Sequence, residues 1–224
     1  MTEVHLLDRP VWSALASGWS GIAEGSAAAL RLRREYGPFG AAADPADADP
    51  LGPLLPDVGE LWLVERGDAA IPAGANVARR GVLHQMVMDR FVPKSRPIEP
   101  IELGDADAAE MQALAATTRP GPFAERTHRL GKFVGVRHEG RLVAMAGERM
   151  RMDGLCEVSG VCTDPAFQGR GLAGALMSIV CERMLARGDM PFLHSYAHNE
   201  SAIGLYESLG FRYRATIHLT VLTR

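Results

Sequence analysis

The sequence predicts an α/β fold of the α+β kind, and three observations lead to this prediction. A strand, a glycine-rich loop and an amphipathic helix follow one another between residues 155 and 187. Strand-like and helix-like segments also alternate along the rest of the chain, as expected when helices pack on a sheet. With 224 residues, 47% of them hydrophobic, the chain is long enough for one large core or two small ones.

The composition excludes several classes of protein. The formal net charge of −3 gives no reason to expect a nucleic-acid partner. Cys156, Cys162 and Cys181 have neither metal-ligand spacing nor the pattern of a disulfide framework. The N-terminus lacks a signal-peptide pattern, and no apolar run approaches the length of a membrane span. We therefore expect a cytoplasmic protein that uses no metal, no nucleic acid and no membrane.

Residues 1–96 are expected to form a smaller α/β lobe. Short helices are predicted at Pro10 to Leu15 and Ile22 to Arg34, and strands at Leu61 to Glu65 and Val82 to Met88. Pro93, Pro97 and Pro100 mark the join to a second unit, residues 97–224. Because the first unit shows no phosphate loop and no acid–base pair, we expect it to pack against the second unit or to cover its substrate.

The second unit reads as a series of strands with helices between them. The predicted elements are a strand at Ile98 to Leu103, a helix from an Asp105 or Asp107 cap through Ala116, a short helix within Thr117 to Arg129, and strands at Phe133 to Arg137, Leu142 to Met150 and Leu155 to Thr163. Asp153-Gly154 is a strong two-residue hairpin turn between the last two strands.

This hairpin turn predicts a register. Counting outward from the turn pairs Met150 with Glu157 and Glu148 with Ser159, so both carboxylates share one face if no bulge intervenes. Two neighbouring carboxylates disfavour each other's ionisation, which raises one pKa toward the range useful for a base. Gly160 is a competing signal against this regular register, because a glycine inside a strand often marks a bulge or the close approach of a ligand.

The glycine-rich loop, Gln168 to Ala173, has the features of an anion cradle. Gly169 and Gly171 have no Cβ, so an oxyanion can reach the backbone at the start of the helix, where N–H groups are unpaired. Arg170 between them offers a second charge. In the helix that follows, Leu172, Leu176, Ile179, Val180 and Met184 form an apolar face, while Glu182, Arg183 and Arg187 look outward. We expect the loop to hold a pyrophosphate.

Two other kinds of glycine-rich loop also bind phosphate groups, the Walker loop and the dinucleotide-binding loop. A Walker loop would need a Gly-Lys-Ser/Thr ending, which is absent. Gly169 to Gly174 matches the dinucleotide pattern Gly-x-Gly-x-x-Gly, which keeps a dinucleotide-binding oxidoreductase open. Pro165 interrupts the chain before the loop and Glu182 lies inside the helix, and both features speak against that alternative.

Two motifs together resemble the GCN5-related N-acetyltransferase (GNAT) superfamily. Gln168-x-x-Gly171-x-Ala173 follows a strand, and His198 to Ile203 and Leu205 to Phe211 come about thirty residues later. The branch most resembled is the glycine N-acyltransferase-like one, in which a GNAT core follows an N-terminal lobe that has lost the loop. The resemblance covers roughly Ile98 to the C-terminus and implies a mixed central sheet flanked by helices.

The resemblance also implies a reaction and a set of site residues. An acetyl group would pass directly from acetyl-CoA, in a ternary complex, to a primary amine of a small molecule or amino acid, without a metal. The implied cofactor contacts are Val161, Cys162 and Thr163 through their backbone, Gln168, Gly169, Arg170, Gly171, Leu172 and Ala173 in the loop, and Asn199. Tyr206 would protonate the departing thiolate. Glu157, eleven residues before Gln168, would be the base, with Glu148 in reserve and a water chain as the alternative.

Several alternatives stay open at this stage. The rival function is a non-catalytic acyl-CoA-binding regulatory module. The acceptor could be an amino acid, a polyamine, a drug or a protein N-terminus, and a homodimer is left open. Cys162 reads better as a small buried hydrophobe than as a nucleophile, and His194 and His198 read better as structural histidines.

Overall fold

A computed structural model describes residues 5–224, which form four α-helices and eleven strands. The helices are α1 (Pro10–Leu15), α2 (Ala108–Thr118), α3 (Leu172–Ala186) and α4 (Glu200–Leu209). The strands are β1 (Ala23–Ser26), β2 (Ala29–Leu32), β3 (Gly40–Ala42), β4 (Leu61–Glu65), β5 (Asn76–Met88), β6 (Ile101–Leu103), β7 (Phe133–His138), β8 (Arg141–Met152), β9 (Leu155–Thr163), β10 (Met190–Tyr196) and β11 (Phe211–Thr223).

Eight of these strands form one central sheet in the order β4-β11-β5-β10-β9-β8-β7-β6. Strands β9 and β10 run parallel, and the other neighbouring pairs are antiparallel. A parallel pair needs a crossover connection, which α3 supplies. The predicted α/β fold with a mixed sheet and flanking helices is confirmed.

The central sheet runs across the predicted boundary at residue 96. Strand β5 is inserted between β10 and β11, and β4 forms the edge beside β11. The boundary itself falls in the connection between β5 and β6, which leads from one half of the sheet to its far edge. Residues on both sides of the boundary therefore share one set of backbone hydrogen bonds.

Apolar clusters cover both faces of the central sheet. On one face, α3 and α4 pack through residues such as Leu176, Val180 and Leu209. On the other face, α1 packs on β5, β10 and β11, and α2 packs on β7 and β8. A small second sheet, β1-β2-β3, lies beside α1 and β4. No helix within residues 5–224 is long and apolar enough to cross a membrane.

Three predicted elements differ from the structure. The predicted helix Ile22 to Arg34 is wrong: this segment is the β1–β2 hairpin, and Gly25 at φ +132° has a conformation that no helix contains. The segment Thr117 to Arg129 holds only the end of α2 and a 3₁₀ turn at Thr127–Arg129. Strand β6 begins at Ile101 rather than Ile98, because the preceding Pro100 has no N–H for a sheet.

The predicted register of the β8–β9 hairpin is also wrong. Pairing starts as expected with Met152 opposite Leu155, but a register shift follows and places Glu148 opposite Val158. Met150 accordingly packs with the α1 cluster, whereas Val158 packs with α3. Because strand side chains alternate between faces, the irregularity turns Glu148 and Glu157 to opposite faces of the sheet.

Candidate active site

A gap between β9 and β10 is the central feature of the site. The two strands pair only from Leu155 to Glu157 on β9, and after that point β9 is bonded to β8 alone. Gly160 within β9 has φ +61°, and a Cβ there would lie 2.7 Å from a ring carbon of Phe133. The strand can turn away at this position because the residue is glycine.

A cavity of about 1080 Å³ lies at this gap and reaches both faces of the sheet. Its loop end is lined by the segment Gln168 to Gly174, without Arg170, and by α4 residues. Its aromatic end is lined by Phe39, Trp62, Val64, Leu83, Tyr196 and Leu219. Residues 118–122, at the end of α2 and just after it, also line the cavity.

The loop end has the backbone geometry of an anion cradle. Asp164 accepts a hydrogen bond from the Ala166 N–H (2.9 Å) and so caps a 3₁₀ turn that leads into the loop. Gly169 and Gly171 have φ values of +75° and +78°, in the left-handed region that favours glycine. Gly171 is the N-cap of α3, so the first N–H groups of a fifteen-residue helix point toward the cavity.

Two cations that the sequence analysis did not single out stand beside this loop. Lys94 and Arg96 line the cavity, and neither forms an ion pair within residues 5–224. The Lys94 N–H donates to the Ser178 hydroxyl of α3 (2.8 Å), which ties the connection between β5 and β6 to the helix. Arg96 packs directly on Gly171: its Nε lies 2.9 Å from where a Cβ would be.

Arg170 does not take the place predicted for it. Its guanidinium lies 4.6 Å from the ring centroid of Phe167 and donates to the Ala166 carbonyl (3.3 Å). It is not among the residues that line the cavity. The stacking contact with Phe167 draws the side chain away from the cradle. Arg96, seventy-four residues earlier in the chain, stands where Arg170 was expected.

Asn199 and Tyr206 both line the cavity, as their spacing of two helical turns predicts. The Asn199 side chain also caps α4 by accepting from the Ala202 N–H (3.3 Å). Burial, together with the nearby Cys162, raises the pKa of Tyr206 to about 12. The phenol therefore keeps its proton at neutral pH but gives it up less readily than an ordinary tyrosine does.

Cys162 is a buried core residue. Its side chain packs with α2 residues and does not line the cavity, whereas its neighbours Val161 and Thr163 do. Burial raises the pKa of the Cys162 thiol to about 11, against a smaller opposing effect of a hydrogen bond with Thr118. A thiol that stays protonated is a poor nucleophile, so the interpretation of Cys162 as a small hydrophobe is confirmed.

Glu157 lines the cavity but is fully paired. Its carboxylate accepts from Arg149 Nε (2.7 Å) and Nη2 (2.9 Å) and from His194 Nδ1 (2.8 Å). Burial alone would raise its pKa, but the charge of Arg149 and the hydrogen bonds from His194 and Arg149 outweigh burial and lower the pKa to about 2. The predicted rise in pKa through a second carboxylate is wrong, because the neighbour is an arginine.

The tautomer of His194 follows from its hydrogen-bond network. Gln85 Oε1 accepts from Arg214 (2.8 Å), which orients the amide so that Nε2 faces Leu7 O (2.8 Å) and His194 Nε2 (3.0 Å). Since the amide nitrogen is a donor, His194 Nε2 must accept, and its Nδ1–H donates to Glu157. His194 thus has both ring nitrogens hydrogen-bonded, as expected for a structural histidine.

Glu148 lies outside the cavity. Its carboxylate forms a bidentate ion pair with Arg187 (2.9 and 3.0 Å) at the end of α3, close to Cys156. Arg187, which was expected to look outward, instead turns back to the sheet. The register shift in β8 accounts for this position, because it directs Glu148 to the α3 face.

The chain is similar to several known proteins. A family model described as FR47-like protein matches residues 133–219. The N-alpha-acetyltransferase RimI of Mycobacterium tuberculosis is 34% identical over 128 residues, which are 51% of this chain and 80% of that protein. The solved structure of a protein assigned to the GNAT family, from Novosphingobium aromaticivorans, is 50% identical, with a TM-score of 0.93 over 99% of both chains.

A GCN5-related N-acetyltransferase from Kribbella flavida has the same fold at 18% identity, with a TM-score of 0.63 over 94% of this chain and 93% of that one. The fold and the matches define an acetyltransferase. The chain belongs to the GNAT family, and its mixed sheet, open between β9 and β10, is the GNAT fold.

Proposed function

We propose that the protein transfers the acetyl group of acetyl-CoA directly to a primary amine of a small molecule or amino acid, in a ternary complex. The observation that carries this proposal is the single cavity that runs from the glycine loop, through the gap in the sheet, to the aromatic end. Two substrates can approach each other from the two ends of such a cavity, and no covalent enzyme intermediate is needed.

The loop end fits the phosphates of acetyl-CoA. The N–H groups of Gly169 to Ala173 offer backbone donors, and Lys94 and Arg96, which form no ion pair in the described part of the chain, add two cations beside them. The edge of β9 at Val161 to Thr163 has no strand partner in the gap, so its backbone is available to the pantetheine arm. Asn199 at the start of α4 completes the cofactor contacts we propose.

Tyr206 is proposed as the acid that protonates the leaving thiolate, because it lines the cavity and carries its proton at neutral pH. Amine deprotonation is proposed to occur through water in the cavity. Glu157 is within the cavity, but its oxygens are held by Arg149 and His194. Its proposed role is to orient these two side chains, and Glu148 has no role in the chemistry.

Residues 1–96 have a structural role in this proposal. They supply β4 and β5 to the sheet and contribute Phe39 and Trp62 to the cavity, without a phosphate loop of their own. An N-terminal unit of this kind supports a place in the glycine N-acyltransferase-like branch. Three buried, free cysteines are consistent with the proposed cytoplasmic location, and the homodimer stays a prediction.

A second candidate acceptor is the N-terminal amine of a protein. It is favoured by the similarity to a relative named as an N-alpha-acetyltransferase. Phe39 and residues 118–122 line the cavity, and we take this lining to favour a small acceptor over a protein segment. Comparing a set of small amines with short peptides that have a free N-terminus separates the two candidates.

The test of the proposal is release of free CoA, followed with a thiol reagent, while acetyl-CoA and each amine are varied. Direct transfer predicts intersecting double-reciprocal plots and acetylated amine in an amount equal to the CoA released. Parallel plots would contradict the ternary complex. Binding of acetyl-CoA without CoA release for any amine or peptide would favour the non-catalytic regulatory module instead.

A further inference from the structure

The aromatic end of the cavity is built on one face of the sheet. Val64 on β4 lies opposite Leu219 on β11, and Leu83 on β5 lies opposite Tyr196 on β10. Directly opposed residues share a face, so these side chains form a continuous apolar floor across four strands. Phe39 and Trp62, whose rings meet edge to face at 6.2 Å, form its wall.

Trp62 presents its ring rather than its polar edge to this end. Its indole N–H donates to Glu60 on the exposed surface (2.7 Å), which fixes the polar edge of the ring. Arg79 covers the ring at 4.9 Å from its centroid and does not line the cavity. The part of the indole that lines the cavity is therefore an apolar surface of large area.

Arg149 and Glu157, the charged groups beside this apolar floor, are engaged with each other, whereas Arg119 lines the cavity from the segment that follows α2. Arg149 and Glu157 neutralise each other in a bidentate pair, and Arg149 also lies over Phe39 at 4.9 Å from the ring centroid. His194 has both ring nitrogens hydrogen-bonded, to Gln85 and to Glu157. A ligand that brought a second ammonium here would lose its hydration without gaining an unused carboxylate. A ligand that brought a carboxylate would have to compete with Glu157 for Arg149, unless it reached Arg119.

We infer that the acetyl acceptor is a primary amine attached to an uncharged aromatic or branched aliphatic body. This inference rests on the proposed function and narrows it. The body lies on Trp62, Leu83 and Leu219, while the amine points to the gap between β9 and β10. Polyamines are poor substrates because the second ammonium is buried without a carboxylate of its own, and amino acids with a free carboxylate are poor substrates because Glu157 already holds Arg149.

Matched pairs of amines test the inference directly. The pairs are phenylalanine methyl ester against phenylalanine, and isoamylamine against putrescine, each measured as kcat/KM by CoA release from the intact protein. In both pairs, the amine with the uncharged body is expected to have a kcat/KM at least about tenfold higher, because a buried unpaired charge is costly. Equal or reversed preference in both pairs overturns the inference.

Variants of the aromatic end provide the second test. Trp62→Ala is expected to raise KM for isoamylamine and phenylalanine methyl ester about tenfold, while KM for acetyl-CoA stays unchanged. Trp62→Leu keeps an apolar residue on the edge strand and is expected to give a smaller rise, should the alanine variant fold poorly. The matched control is Tyr213→Ala, because Tyr213 is an aromatic residue that is 55% exposed and does not line the cavity.

The outcomes separate the inference from the function on which it rests. If no amine and no peptide releases CoA, the proposed function fails. If CoA is released but charged amines or peptides react best, the proposed transferase activity is kept and the inference of an apolar acceptor is refuted. The same conclusion follows if Trp62→Leu and Tyr213→Ala have the same KM for the two uncharged amines.

Discussion

Replacing Arg96 by alanine should weaken acetyl-CoA binding, although Arg96 lies outside the glycine loop. The side chain packs on Gly171, at the N-terminus of α3, and has no carboxylate partner within residues 5–224. A cation with these surroundings is available for a phosphate of the cofactor. The sequence pattern alone would have selected Arg170 for the same role.

The size of the effect follows from the type of contact and its exposure. A hydrogen bond to a charged group contributes about 1.5–3 kcal/mol, which corresponds to roughly 10- to 150-fold in Kd. Arg96 is solvent-exposed, so screening places the expected loss at the lower end, about tenfold. Lys94→Ala should weaken acetyl-CoA binding less than Arg96→Ala does, because an ammonium provides a point charge without the bidentate geometry of arginine.

The assay is isothermal titration of acetyl-CoA into each variant at two salt concentrations. Arg170→Ala is the matched control, since Arg170 is the same residue type within the loop but stacks on Phe167. We expect its Kd to stay within about twofold of wild type, and the salt dependence of binding to be reduced in Arg96→Ala. A normal Kd for Arg96→Ala together with a weakened Arg170→Ala would refute the assignment.

Three further predictions concern the loop, the acid and the paired carboxylate. Acetyl-CoA at a hundredfold excess over Kd should stabilise the wild type by about 2.7 kcal/mol and so raise its Tm. Gly171→Val should abolish this rise, because valine cannot adopt φ +78° without strain. An unchanged rise in a folded variant would exclude the loop as the site. Tyr206→Phe should lower kcat about 100-fold with little change in the Kd of acetyl-CoA, and wild-type turnover would make Tyr206 a packing residue. Glu157→Gln should cost about 3–5 kcal/mol of unfolding free energy at pH 7, since Arg149 loses its partner. The folded pKa of Glu157 is about 2 against an ordinary value of 4.5, so the wild-type carboxylate stabilises the fold above about pH 4.5 and loses this contribution as the pH falls toward 2. Urea unfolding at pH 7 and pH 3 should show that the difference in unfolding free energy between wild type and Glu157→Gln is smaller at pH 3. A difference that stays constant would contradict the pairing of Glu157 with Arg149.

Much of the candidate site could be predicted because it depends on short-range geometry. Gly169 and Gly171 adopt the left-handed backbone that a tight loop before a helix requires, and glycine is the residue that adopts it without strain. The spacing of Asn199 and Tyr206 places both on one side of α4 for the same local reason. Pairing next to the Asp153-Gly154 turn is also as predicted, with Met152 opposite Leu155.

The errors arise where a long-range contact changes the outcome. A register shift in β8, only a few residues from that turn, sends Glu148 to α3 and leaves Glu157 with Arg149. A strand pattern of period two has no signal for an extra residue, and a single such residue exchanges the two faces. The pKa of Glu157 could not be predicted either, because it depends on Arg149, which the register shift places beside it, and on His194, thirty-seven residues away in the chain.

The sequence by itself determined the loop, the helix after it and the alternation of strands and helices, because backbone preferences and apolar periodicity belong to neighbouring residues. Only the tertiary structure decided which charges meet at the site. The connection after β5 brings Lys94 and Arg96 to the N-terminus of α3, and Phe167 removes Arg170 from it. Charges interact through space, so their partners depend on how the chain crosses the sheet and not on their order along it.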